Sequence, residues 1–200
     1  TNPDTCQAAD VLVLPGSRST VSDLEWLRRS GIADVVARRA EQGRTVVGIC
    51  GGDQMLCRTI LDPDGQETTP GSVVEGLGLL PVEVDFAATK TLALSHGTWR
   101  GIEVGGYEIH HGVCRSLEDA EAFLDGVHVG PVWGTMWHGA FEHDEFRRTW
   151  LADAARHAGS SWRPHSDELG YQARREAMIE TLADALEAHV DVDRILHLVR

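Results

Sequence analysis

The chain opens on a short apolar run, Val11-Leu12-Val13-Leu14, ended by Pro15-Gly16. Consecutive apolar residues bounded by a turn signal predict a strand buried on both faces. Beyond it, Leu24, Leu27 and Ile32 give a helical region an apolar side. Ser19 or Thr20 can cap that helix, with Asp23 three residues after Thr20. A second helix is expected over 32–42, stopped by Gly43. Thr45-Val46-Val47-Gly48-Ile49 repeats the buried-strand pattern and runs straight into Cys50-Gly51-Gly52 and a helix reaching about Ile60. Strand, helix, strand, helix predicts an α/β fold with a mostly parallel sheet covered by helices on both faces.

The pattern then loosens. Residues 62–72 are rich in Asp, Pro, Gly and Thr and read as a surface loop. Within 73–132, Val82-Glu83-Val84-Asp85-Phe86 and Gly106-Tyr107-Glu108-Ile109-His110 alternate as strands do. A last strand is expected over 132–137, followed at once by His138-Gly139. A helix is expected over 144–157, a polar connection over 159–167, and one long helix or two from Glu168 onward. Trp99, Trp133, Trp137, Trp150, Trp162 and Trp26 read as packing residues.

Composition narrows the class. The 200 residues suit one domain, with a core at about 10–155 and a helical C-terminal extension. A chain of this size buries roughly 70% of its unfolded surface, enough to dispense with staples. The net charge of −13 argues against nucleic acid, whose phosphates call for Lys and Arg. Cys6, Cys50, Cys57 and Cys114 match no zinc spacing and are too sparse for a disulfide scaffold, which points to a reducing, cytoplasmic setting. No run is long and apolar enough for a membrane span. The chain does not begin with Met, which suggests a fragment of something longer.

Val47-Gly48-Ile49-Cys50-Gly51-Gly52 is the sharpest chemical feature. A cysteine at the end of a buried strand, with glycines on both sides, fits a tight strand-to-helix turn that lifts sulfur above the sheet. A sulfur nucleophile needs a base. His138 also ends an apolar strand, and functional groups of parallel sheets gather at those ends. The amides of Gly16 and Ser17, with that of Gly51, can face a developing oxyanion. The alternatives are a buried structural cysteine, a structural histidine and an ordinary turn. His110-His111 point to opposite faces of a strand, so no metal is expected there. Cys57 reads as core.

These blocks resemble a known family. Leu14-Pro15-Gly16-Ser17-Arg18-Ser19-Thr20, Gly48-Ile49-Cys50-Gly51-Gly52-Asp53-Gln54, Gly106-Tyr107-Glu108-Ile109-His110-His111-Gly112 and Trp133-Gly134-Thr135 with His138-Gly139 are similar, in order, to the CobB/CobQ-type class I glutamine amidotransferases. The resemblance implies a flavodoxin-like fold, a glutamyl thioester on Cys50 and His138 as its partner. Gly16, Ser17, Gly51, Asp53 and Gln54 are the candidate oxyanion and substrate-binding residues, with Asp53 read as a contact to the glutamine amine, as a charge that raises the Cys50 thiol, or as an ordinary helix N-terminal Asp. The resemblance also implies glutamine as substrate and an N-terminal ATP-dependent amide ligase domain, absent from this chain, carrying ATP, Mg²⁺ and a corrinoid acceptor. No cofactor is then expected in this domain. A glutaminase serving a cell-wall lipid precursor, or a catalytically silent interaction domain, would share the fold. Two positions depart from common patterns. Asp53 stands where the family usually has Tyr, and Ala140 stands where many class I relatives have a triad Glu. Glu108 is the candidate to support His138.

Overall fold

A computed structural model describes residues 2–165 and 169–198. In chain order the elements begin α1 (Pro3–Ala8), β1 (Leu12–Leu14), α2 (Thr20–Arg29), α3 (Ile32–Glu41), β2 (Val46–Ile49) and α4 (Gly51–Leu56). There follow β3 (Thr59–Asp62), β4 (Ser72–Glu75), β5 (Val82–Trp99), β6 (Ile102–Ser116), β7 (Glu121–Phe123), β8 (Gly126–Val129) and β9 (Val132–Thr135). The chain ends in α5 (Asp144–His157), α6 (Tyr171–His189) and α7 (Val192–Leu198).

One sheet has the order β1-β2-β9-β8-β7, with β1, β2 and β9 parallel and the β7, β8 edge antiparallel. β2 and β9 read as apolar runs because they are covered on both faces, whereas edge strand β1 buries Leu12 and Leu14 and leaves Val13 exposed, contrary to its reading as buried on both faces. On one side Leu24, Leu27, Ile32 and Val36 pack with Val46 and Met55. On the other, Trp99, Phe123, Trp133, Phe146 and Trp150 form an aromatic cluster with edge-on contacts, ring centroids 5.0 Å apart for Phe123 and Trp133 and 6.0 Å for Trp133 and Trp150. Each such pair adds about 1 kcal/mol beyond simple burial. Trp26 and Trp162 lie outside this core and are exposed, contrary to their reading as packing residues.

A second sheet, β4-β3-β5-β6, departs from the sequence reading. The helix expected to run to Ile60 stops at Leu56, and Ile60 instead lies buried in β3, between β4 and β5. Long-range backbone pairing there outweighs helical continuation. The two short alternating segments belong to a ribbon of 18 and 15 residues, β5 and β6. The last parallel strand ends at Thr135 rather than Trp137, because the chain turns there to let His138 pair with Tyr107. The N-terminus of α2 is also satisfied differently. Ser19 makes no side-chain cap; Ser17 Oγ accepts from Ser19 N at 2.9 Å, and Glu67 Oε2 accepts from Val21 N at 2.9 Å. The polar connection over 159–167 and the helix start at Glu168 fall in part on 166–168, outside the described residues.

Candidate active site

Cys50 joins β2 to α4 with φ 52° and ψ −113°, a backbone conformation that a non-glycine residue adopts only under constraint. The flanking glycines supply that constraint by permitting contact that no side chain would. A methyl on Gly52 would lie 1.9 Å from the Leu14 carbonyl oxygen, and one on Gly48 would lie 2.6 Å from the Gly52 backbone. The Cys50 amide donates to the Thr135 carbonyl at 2.8 Å, tying the elbow to the end of β9.

That tie brings His138 into the same place. A methyl on Gly16 would lie 2.9 Å from His138 Cε1 and 3.7 Å from Cys50 Cβ, so glycine, imidazole and nucleophile surround one spot. His138 is held by paired backbone bonds with Tyr107 and by ring stacking, centroids 5.1 Å apart at 16°. Ser17 N comes within 2.8 Å of where a Gly51 side chain would begin, so the loop after β1 closes on the elbow. Cys50, His138, Gly16, Ser17 and Gln54 line one open cavity of about 650 Å³. Gln54 is buried in its wall, accepting from Thr20 Oγ1 at 2.9 Å. A cavity of similar size, about 680 Å³, lies among Trp137, Phe141, Arg147 and Tyr171, and no cysteine lines it among the described residues.

The electrostatics keep the resting pair neutral. Burial raises the Cys50 thiol above its ordinary value and Asp53 and Asp125 add to this, while the Gly51 amide and Lys90 oppose it. Burial, then His110, lowers the His138 imidazole, leaving it free to accept a proton near neutral pH. The thiol form of Cys50 therefore prevails at neutral pH.

Asp53 does not line the cavity. It is buried beneath the elbow, against the Gly134 backbone and Leu80, and the Cys114 thiol lies 3.6 Å from its Oδ2. Burial, then Asp125, raises its carboxyl to about 7. Glu108 also stays outside the cavity lining. It accepts from Ser95 Oγ and pairs with His110 Nε2 at 2.9 Å, and His110 in turn lines the cavity. His111 Nδ1 bonds the Ala87 carbonyl at 3.0 Å. Among the described residues no cluster of His, Cys, Asp or Glu could hold a metal ion.

Several cavity residues were given no role by the sequence. Lys90, the chain's single lysine, lies in the irregular stretch between Phe86 and Thr91 where β5 bulges. Arg18 follows the Pro15-Gly16-Ser17 turn. Gln66 and Glu67 come from the loop after β3. Buried Asp62 fixes that loop, its carboxylate accepting from the amides of Gln66, Glu67 and Thr68 at 2.6, 3.0 and 2.8 Å. The only available hints were compositional: a lone lysine in an acidic chain, and an Asp leading into a polar loop.

A cysteine on a strained elbow beside a histidine, both at the ends of neighbouring parallel strands, suits acyl transfer through sulfur in an α/β enzyme. The CobB/CobQ-like glutamine amidotransferase domain matches residues 1–146, and the chain belongs to that family. Cobyric acid synthase of Mycolicibacterium gilvum (strain PYR-GCK) is 45% identical over 199 residues, covering 100% of this chain and 39% of that protein. Cobyric acid synthase of Mycobacterium sp. (strain KMS) is 48% identical over 200 residues, again covering 100% and 39%. That of Streptomyces avermitilis is 46% identical over 197 residues, covering 98% and 38%. The chain thus spans about two fifths of the length of the curated relatives it matches. A solved structure described as a glutamine amidotransferase superposes with a TM-score of 0.61 over 78% of this chain and 84% of that one, at 23% identity, which shows the α/β fold. Among the described residues no helix is long and apolar enough to cross a membrane.

Proposed function

We propose that this chain hydrolyses glutamine through a thioester on Cys50 and supplies the ammonia for amidating corrinoid side-chain carboxylates in cobyric acid synthesis. The observation that carries the reading is the meeting of Cys50, His138 and the Gly16-Ser17 turn around one cavity. His138 takes the Cys50 proton, sulfur attacks the side-chain amide carbon, and the Gly51 and Ser17 amides face the oxygen as it gains charge. Collapse of the adduct breaks the C–N bond, and the proton held by His138 leaves with the nitrogen as ammonia. His138 then takes a proton from water, whose oxygen attacks the thioester to release glutamate and restore the thiol. Arg18 and Lys90, cations of the cavity wall, suit the substrate α-carboxylate, and Glu67 suits its ammonium group.

ATP and Mg²⁺ belong, in this reading, to a ligase unit in the cytoplasm with the corrinoid acceptor. Phosphoryl chemistry needs lysine and a glycine-rich approach around the phosphates, and Lys90 is placed beside Cys50 instead. The test is ammonia and glutamate release from glutamine, with a diazo-ketone glutamine analogue as covalent probe. Mass spectrometry is expected to place the adduct on Cys50, and Cys50→Ala to abolish both labelling and turnover. His138→Asn is expected to lower turnover by about 100-fold or more, the scale of a lost acid–base group. Labelling on Cys57 or Cys114 instead, or full turnover without Cys50, would overturn the assignment of Cys50, and a parent without labelling or turnover would favour a silent interaction domain.

A further inference from the structure

The β5–β6 ribbon carries an apolar block that nothing in the described fold covers. Leu92 pairs with Ile109 and Leu94 with Tyr107, and residues directly opposite across a strand pair share one face. Leu92 and Leu94 are 78% and 82% exposed, Tyr107 and Ile109 each 43%. Scattered exposed leucines are ordinary, but a contiguous block of four large apolar side chains marks a contact surface. Its location is specific. Tyr107 and Ile109 form part of the cavity wall, and Tyr107 stacks on His138, so the block runs outward from the Cys50 cleft without a polar break at those pairs.

We propose that this Leu92, Leu94, Tyr107 and Ile109 face is where the ATP-dependent ligase unit seats, closing the mouth of the Cys50 cleft. The inference rests on the glutaminase reading above. Two observations select this occupant. Relatives 45–48% identical over this whole chain carry it as about two fifths of a longer protein, so a large partner unit accompanies the domain. And the chemistry beside the patch releases ammonia, which bulk water protonates into an unreactive ammonium ion, so the unit that consumes it must cover the cleft from which it emerges. A second copy of this domain placed there would close the cleft without providing an acceptor.

The test uses the domain together with its ligase unit. A photoreactive amino acid at position 94 is expected to crosslink to the ligase unit. Crosslinking to a second copy of this domain, or to neither, overturns the proposal. The double variant Leu92→Asp, Leu94→Asp places charge in a contact that must shed water. Neither side chain lines the cleft or the core, so glutamine hydrolysis is expected to stay within about twofold of the parent. Amide formed per glutamate released is expected to fall by about tenfold, while amidation driven by added ammonium chloride is unchanged. Leu182→Asp on the exposed face of α6 is the control and leaves coupling intact. Undiminished coupling in the double variant overturns the docking surface and leaves the glutaminase reading standing. A parent that releases no glutamate from glutamine overturns the glutaminase reading instead, and the crosslink still reports what covers the ribbon.

Discussion

Asp53→Asn changes one atom in a space already filled, since a methyl on Gly134 would sit 1.9 Å from Asp53 Oδ1. Asn fits that space where a larger residue would collide with Leu80 and the Gly134 backbone. The parent carboxyl titrates at about 7 in the fold, raised by burial and then by Asp125, against 3.8 for an ordinary aspartate. Between those values the unfolded chain has released a proton that the native chain still holds. Stability conferred by the neutral form is therefore fully present below pH 3.8 and is lost as pH rises to about 7. The total loss is about 4 kcal/mol, of which about 3 falls between pH 5 and pH 8. Asn cannot ionise, so the variant escapes this loss. Urea denaturation of parent and variant at pH 5 and pH 8 measures it: the stability advantage of Asn should grow by about 3 kcal/mol from the lower pH to the higher. Titrating groups that do not interact with Asp53 cancel in that difference. The Asp53 charge also helps to raise the Cys50 thiol, so the alkaline rise of the glutaminase pH–rate profile should move to lower pH in the variant. Stability curves that fall in parallel would refute the reasoning, because Asp53 would then be ionised in the fold throughout.

Gly16→Ala would put a methyl 2.9 Å from His138 Cε1 and is expected to push the imidazole off line, lowering kcat by about 10-fold or more with the melting temperature little changed; steady-state kinetics beside a thermal melt checks it. Asp62→Asn keeps the shape but removes the charge that three loop amides and Thr68 Oγ1 share, so it should cost about 1–3 kcal/mol at neutral pH and raise KM for glutamine by loosening the Gln66–Glu67 wall. Backbone and hydroxyl hydrogen bonds overcome burial to hold the Asp62 carboxyl below its ordinary value, so the parent's advantage is present above the unfolded pKa and disappears as pH falls through the folded one. Denaturation at pH 7 and pH 3 separates the two conditions.

Local pattern by itself determined the parallel half of this protein. The apolar runs that became β1 and β2, the glycine-bounded Cys50 and the terminal His138 needed only strand burial and a turn too tight for side chains, both properties of a few adjacent residues. α3 and α5 were legible for the same reason, since the residue pattern of a helix acts within that one helix. What lay beyond was decided by pairing at a distance. Ile60 is as apolar as a helix residue would be, and only its partners in β4 and β5 make it a strand. Arg39 of α3 is buried and donates to the carbonyls of Ala9 and Thr45 at 2.7 and 3.0 Å, partners that lie outside its helix. The wall of the Cys50 cavity and the ground beneath it are likewise tertiary: Lys90 arrives through a bulge in β5, Glu67 through a loop anchored by Asp62, and Asp53 turns beneath the elbow toward Cys114 and Asp125. Hydrophobic periodicity records which side of an element is buried. It carries no record of which distant backbone or carboxylate shares that burial, and those partners set the protonation of the sulfur and the shape of the cleft.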